Sequence, residues 1–486
     1  MLLKRLTASL IGLLLAAPAA ADPAAPTADA WASLARADVE AIRLDVLGIH
    51  PGVRDPQNPG FVATMEGHYR TAQARAAAAR SYLDWRDAVN GFVQSFRDGH
   101  TFVRYDAIPA NLRWPGFLLD GRGTGYVAAL IEGAPGVTDG DAITACDGQP
   151  IADLLKARLD AREADWSKAP ERVRQAWRGF IDYRTEGPPP IKACTIVHDG
   201  KPRDVTLKWR TTPASTLVPR TNPLQRVIPG RPVSLEYRPG GAALIRIGSF
   251  GDEVALKALA DVMTAGQAKL RAAPYVVFDL RGNRGGNSTW GGTYGRILFG
   301  DPVVDALDEN STGKYFRASP QAVARLRLIA QDFTDDGPGM AEVAAYWTNI
   351  ADRVAASPDG DTKLFTDYVN PPAPKPNVPP VAAYRRPVYI LTDAGCFSSC
   401  IVAANTLIRL GGINVGEVMG QNEEYGEITG PIALPSGLGR YWLPISIIRQ
   451  RRENLGGTPV KHAWSGAMDD DAGIYAWIGA LAKAAG

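Results

Sequence analysis

The chain is short of the residues that most often betray a function. Five histidines and four cysteines are all it has among 486 residues, and Lys plus Arg exceed Asp plus Glu by two. Cys146, Cys194, Cys396 and Cys400 do not fall at the spacing of a zinc site with neighbouring histidines, so neither a metal nor a cofactor is expected. So few cysteines in so long a chain also rule out a disulfide-stapled mini-protein. The balance of charge leaves no whole-molecule field to gather nucleic acid or an anionic membrane surface. Long uncharged apolar runs are missing as well. The stretch from Leu6 to Ala21 has 16 residues, short of the roughly 20 that span a bilayer.

What stands at the start reads as an address. Lys4 and Arg5 precede that apolar run and Ala19-Ala20-Ala21 offers small residues to a signal peptidase. A signal peptide over 1–21 is therefore expected, with export to the periplasm or beyond and no stable membrane span afterwards.

Four textures follow, in keeping with roughly three domains' worth of chain. Residues 27–104 read as an N-terminal helical domain, with Trp31, Leu34, Val39, Ile42 and Val46 at helical spacing, then Tyr82, Trp85, Val89, Phe92 and Phe96. Residues 113–213 are short apolar runs with turn signals, including the hairpin turn Asp199-Gly200. Cys146 and Cys194 fall in two of these runs and can pair in an oxidising compartment. Residues 228–300 and 385–486 alternate strand and helix as an α/β core. Its runs Ala242 to Ile245, Tyr275 to Phe278 and Val388 to Leu391 suit strands buried on both faces. Residues 301–384 read as an insertion, either a lid or wall or a plain surface excursion.

Two strand ends carry the candidate chemistry. Asp279-Leu280-Arg281-Gly282-Asn283-Arg284-Gly285-Gly286-Asn287 ends a buried strand in a glycine-rich turn. Its backbone N–H groups can approach developing negative charge, although such turns also serve purely conformational ends. Thr392-Asp393-Ala394-Gly395-Cys396-Phe397-Ser398-Ser399-Cys400 ends another and opens a helix, where a serine suits both a nucleophile and an N-cap. Cys396 and Cys400 read as small buried residues.

Together these strand ends resemble the carboxyl-terminal-processing, or tail-specific, serine peptidases, which include the tricorn core protease as a divergent relative. Asp279-Leu280-Arg281-Gly282-Asn283-Arg284-Gly285-Gly286 is similar to the family's D-L-R-x-N-x-G-G, Phe397-Ser398-Ser399 to its nucleophile segment, and Val415-Gly416-Glu417 to the V-G-E that follows. Gly140-Asp141-Ala142-Ile143 with Asp147-Gly148-Gln149-Pro150 resembles a PDZ domain's motif. The resemblance implies a crotonase/ClpP-like ββα core beside a PDZ-like β-rich domain. It also implies Ser398 as nucleophile and the N–H groups of Ser399 and Gly285 or Gly286 as oxyanion hole, with a peptide or protein as substrate.

The better-known branch takes its general base from a lysine soon after the serine; here the first is Lys461. The tricorn-like branch uses a histidine near the end of the helical region, and Phe96-Arg97-Asp98-Gly99-His100-Thr101 resembles that position. A neutral imidazole at His100 can take a hydroxyl proton and return it. His462 is the rival base. Glu453 resembles the glutamate of the tricorn-like E-N-x-G segment and would orient the base, with Glu423, Glu424 and Glu427 as alternatives; Ser399 is the alternative nucleophile. Two other functions remain open at this level: a binding protein that kept the fold without the chemistry, and a crotonase-like acyl-transfer protein.

Overall fold

The computed structural model describes residues 27–106, 109–308, 314–365, 384–420, 424–448 and 458–485. The signal peptide reading, the Pro-rich stretch 371–380, Glu423 and Glu453 lie outside these.

Three helices open the described chain, Ala28–Ile49, Phe61–Ala77 and Tyr82–Gln94. Thr27 caps the first by accepting from the Ala30 N–H at 3.3 Å, and Ser81 caps the third through the Asp84 N–H at 3.2 Å, each satisfying an N–H that the helix itself leaves unbonded. Ala35, Val39, Ile42 and Val46 form the buried stripe of the first helix. They share one apolar core with Val323, Leu326, Ile350 and Val354 of the helices Pro320–Asp335 and Ala341–Ala355. The described residues of the 301–384 insertion are thus more than a surface excursion. They complete the hydrophobic core of the N-terminal helices, and their strand Lys314–Arg317 joins a four-stranded sheet with Leu364–Phe365, Pro444–Ile448 and Tyr425–Ile428.

His50 sits inside this region, fully buried and stacked on Phe61 at 4.5 Å, where its Nδ1 accepts from the Gly52 N–H at 3.0 Å. Accepting there requires an unprotonated Nδ1. Burial holds its pKa down to about 4, against the opposing pull of the Asp98 charge. Because the folded-state value lies below the unfolded one, protons bind the unfolded chain more strongly. This contribution to stability is whole above about pH 6.5 and shrinks by about 3 kcal/mol as pH falls toward 4. His50→Asn keeps an acceptor for Gly52 without a titration. Its unfolding free energy is expected to vary less with pH across that window, which urea titrations at about pH 7 and pH 4.5 would reveal; equal slopes for the two proteins would refute it.

Residues 118–206 form a β-rich unit, in which strands Leu118–Arg122, Gly125–Ala129, Ala142–Cys146, Ala193–His198 and Lys201–Thr206 run in that order across one sheet. Cys146 and Cys194 stand opposite one another in the antiparallel register, Cα atoms 4.0 Å apart, and are disulfide-bonded. The bond closes a loop across a sequence separation of 48 residues, for which chain entropy predicts about 4 kcal/mol of stabilisation. Replacing both by alanine is expected to cost about 2 to 4 kcal/mol, measured as the urea midpoint of this unit.

The remaining sheet is mostly parallel, in the order Val233–Tyr237, Ala243–Ile247, Val276–Asp279, Val388–Thr392, Ile413–Gly416 and His462–Ala463, with only the first pair antiparallel. The alternation of side chains along each strand decides its two faces. Val276, Phe278, Val388 and Ile390 pack under the helices Glu253–Ala265, Thr289–Phe299 and Ser399–Arg409. Val277, Tyr389 and Leu391 pack against the helix Asp471–Ala485. The central strands are buried on both faces, which is why they read as continuous apolar runs. Asp279 is in register with Leu391, so the turns that follow the two strands emerge side by side.

Candidate active site

Both turns are held by buried carboxylates. Asp279 receives Nε and Nη2 of Arg281 at 3.0 and 2.6 Å and the Tyr475 hydroxyl at 2.6 Å. Burial pushes this carboxyl up, but Arg281 and Arg231 outweigh it and the net shift is downward. The aspartate and arginine of the D-L-R stretch therefore lock their own turn. Asp393 accepts from the Gly282 N–H at 2.8 Å and the Gly395 N–H at 2.9 Å, bridging the two turns; burial and the neighbouring Glu417 raise its pKa to about 6. Asn283 fixes the glycine turn from within, its Nδ2 donating to Ile247 O at 2.9 Å and its Oδ1 accepting from the Gly285 N–H at 2.8 Å.

Ser398 stands at the N-cap of the helix Ser399–Arg409 with φ 57° and ψ −123°, a left-handed conformation that costs a non-glycine residue on the order of 1–3 kcal/mol. Its Oγ lies 3.2 Å from His100 Nε2, across 298 residues of sequence. His100 is 5% exposed, and its ring rests against Phe397 with centroids 4.9 Å apart. Asp98 Oδ1 accepts from the His100 N–H at 2.8 Å and lies 3.6 Å from His100 Nδ1. That separation is an ion-pair distance, longer than a hydrogen bond, and a small movement closes it. Burial raises the pKa of Asp98, yet the hydrogen bonds and charge of His100 more than offset this, leaving it below the usual carboxylate range. Asp98 was not among the expected orienting residues, although it stands two places before the histidine.

The glycine turn faces this pair. Glycine is required at 285 and 286, with φ of 109° and 131°. A Cβ at Gly285 would sit 3.0 Å from Ser398 Cβ, and one at Gly286 would sit 2.1 Å from Phe250 backbone. The two differ in what their amides do. Gly285 N–H is committed to Asn283 Oδ1, so the expectation that it serves an oxyanion is corrected. The Gly286 and Ser399 N–H groups meet no acceptor among the described residues. The Ser399 hydroxyl donates to Gly286 O at 2.5 Å, tying the two turns together, which leaves Ser398 as the hydroxyl beside the imidazole.

The other expected residues fall elsewhere. His462 belongs to the last strand of the sheet, paired with Val415, and neither it nor Glu424 lines the cleft that holds Ser398. Glu427 does, but it is ion-paired with Lys314. Cys396 and Cys400, expected as separate buried thiols, are bonded to each other with Cα atoms 5.4 Å apart. One turn of chain brings their side chains together on either side of Ser398.

The cleft itself has a volume of about 1240 Å³ and runs between the helical region, the β-rich unit and the parallel sheet, with His100, Gly286, Ser398 and Ser399 in its wall. No family profile matches the sequence, and no curated protein does. Solved structures do. Mature CPAF is 15% identical, aligning over 93% of this chain and 97% of its own with a TM-score of 0.61; its complex with lactacystin gives 14%, 93%, 98% and 0.59. The tricorn protease, at 13% identity over 92% of this chain and 37% of its own, reaches only 0.36, too low to argue from. At such identity a likeness speaks for architecture alone: the chain has the fold of mature CPAF.

Proposed function

We propose that the protein is an exported serine endopeptidase. Ser398 Oγ attacks a peptide carbonyl while His100 Nε2 takes its proton, and the Ser399 and Gly286 N–H groups hold the oxyanion. His100 then returns the proton to the leaving amine, and water, activated by the same imidazole, releases the acyl group. Asp98 orients the imidazole and balances its charge. The observation that carries this reading is the 3.2 Å approach of His100 Nε2 to Ser398 Oγ.

The finer reading follows from the base. With a histidine rather than a lysine beside the serine, the chain fits the tricorn-like branch of the tail-specific peptidases, its sheet and helices the crotonase/ClpP-like core. The unit carrying Gly140-Asp141-Ala142-Ile143 is the PDZ-like domain, able to take an extended peptide along a sheet edge. Two disulfides suit an oxidising compartment, in keeping with export to the periplasm or beyond. A fluorophosphonate should label the purified protein at Ser398 by mass spectrometry, with labelling gone in Ser398→Ala and sharply reduced in His100→Ala. A folded protein that is not labelled would overturn the proposal.

A further inference from the structure

The charges around the cleft do not cancel as they do over the whole chain. Nine cationic and five acidic side chains line it among the described residues. Each of the acids is already matched: Glu163 by Arg86 and Arg178, Asp165 by Arg97 and Lys168, Glu171 by Arg174, Glu427 by Lys314, and Asp98 by His100. Among the described residues Arg104, Arg284 and Arg409 have no carboxylate within ion-pair distance; of these, Arg104 and Arg284 flank the candidate catalytic segments, four residues after His100 and two before Gly286. Both Arg104 and Arg284 are exposed and stand in the cleft wall.

Both are held in place without being neutralised. Arg284 immediately precedes the glycine pair that approaches Ser398, and its Nη2 donates to Gln225 O at 2.9 Å, its other donors meeting no acceptor among the described residues. Arg104, four residues after His100, lies over the rings of Phe102 and Trp442 at 5.7 and 5.3 Å, rings that stack on each other at 4.8 Å. A guanidinium seated on an aromatic face keeps its in-plane N–H fork free for a planar anion. Lost solvation in the cleft and the like charges of Arg174 and Arg104, set against the opposing pull of Asp393 and Glu171, lower the pKa of Arg284 to about 10, in the direction that a bound anion would reverse.

The geometry points to a carboxylate subsite: Arg284 and Arg104 receive a carboxylate of the substrate close to the scissile bond, giving the protein a preference for acidic peptides. The inference rests on the peptidase reading for what the subsite is for. The carboxylate has two possible sources, an acidic side chain or the free end of the chain.

Binding and turnover separate these. Fluorescein-labelled alanine-background hexapeptides carrying Glu or Gln at each position in turn, as free acids and as amides, would be titrated against Ser398→Ala protein by anisotropy. The same peptides in quenched form would be turned over by Ser398-containing protein. A charge-assisted, bidentate contact predicts about tenfold tighter binding of the favoured peptide than of its neutral counterpart, weakening when salt rises from about 0.05 M to about 0.5 M. The preference should disappear in Arg284→Gln/Arg104→Gln and persist in Arg284→Lys, which keeps the charge. Preference for Glu at one internal position identifies a side chain as the source, and preference for acid over amide alone identifies the chain end. No preference, or one that survives the double substitution, overturns the inference. Turnover without charge preference would sink the subsite and leave the peptidase; charge-selective binding without turnover would do the reverse.

Discussion

Ser398→Ala is expected to lower kcat/KM on a cleaved peptide by on the order of 10⁵ to 10⁶, and His100→Ala by a similar factor, the scale seen when a hydrolase loses its nucleophile or base. The reason is the shared proton. With Ser398 Oγ and His100 Nε2 at 3.2 Å, neither group does its work without the other, so the double substitution should be little worse than either alone. The residual rate would come from the Gly286 and Ser399 amides, which both variants retain. Asp98→Asn should cost less, on the order of 10⁴, because the carboxylate stands 3.6 Å from Nδ1 and acts on the imidazole rather than on substrate. A His100→Ala protein that kept more than about a tenth of wild-type kcat/KM would remove the histidine from the mechanism.

The second large effect is structural and sits just behind the nucleophile turn. Arg226 is buried with both of its partners, donating to Glu417 Oε1 and Oε2 at 2.6 and 2.7 Å and to Asp120 Oδ1 at 2.8 Å. Asp120 belongs to the β-rich unit, while Glu417 also accepts from the Ala394 N–H at 3.3 Å, two residues before Cys396. One guanidinium thus joins that unit to the turn. Arg226→Met leaves Glu417 buried without a cation and Asp120 with Arg122 alone, and is expected to cost about 3 to 5 kcal/mol, read as a lowered urea midpoint. Adding Glu417→Gln should recover part of the loss, since the uncompensated charge goes with it. By contrast Lys257→Met, which breaks a pair exposed on both sides, should shift the midpoint hardly at all. Comparable losses from both arginine and lysine variants would mean that burial of the Arg226 cluster is not what matters.

The parts legible in the sequence were those written in short stretches. Strands 276–279 and 388–392 announce themselves because burial on both faces leaves little but apolar residues, and the turns after them keep glycines where a Cβ would collide with Ser398 or Phe250. His100 was found by scarcity and resemblance, and it lies beside Ser398. What escaped is pairing at a distance or one too local to look meaningful. Nothing in Asp98 distinguishes it from any loop aspartate until the fold folds its side chain back toward the imidazole. Which of Gly285 and Gly286 keeps a free amide depends on where Asn283 points. The association of helices 320–335 and 341–355 with the N-terminal helices joins segments nearly three hundred residues apart, for which amphipathic periodicity names a face but no partner. Glu453, identified only through resemblance, lies outside the described residues.

The backbone at Ser398 has an implication for which amino acids evolution or an engineer could install there. Threonine carries the same nucleophilic group, yet its second substituent on Cβ makes it one of the poorest choices for a residue with φ of 57°. The position selects against branching as firmly as it selects for a hydroxyl, so the hydrolase alphabet available to this scaffold excludes a chemically equivalent letter on shape alone.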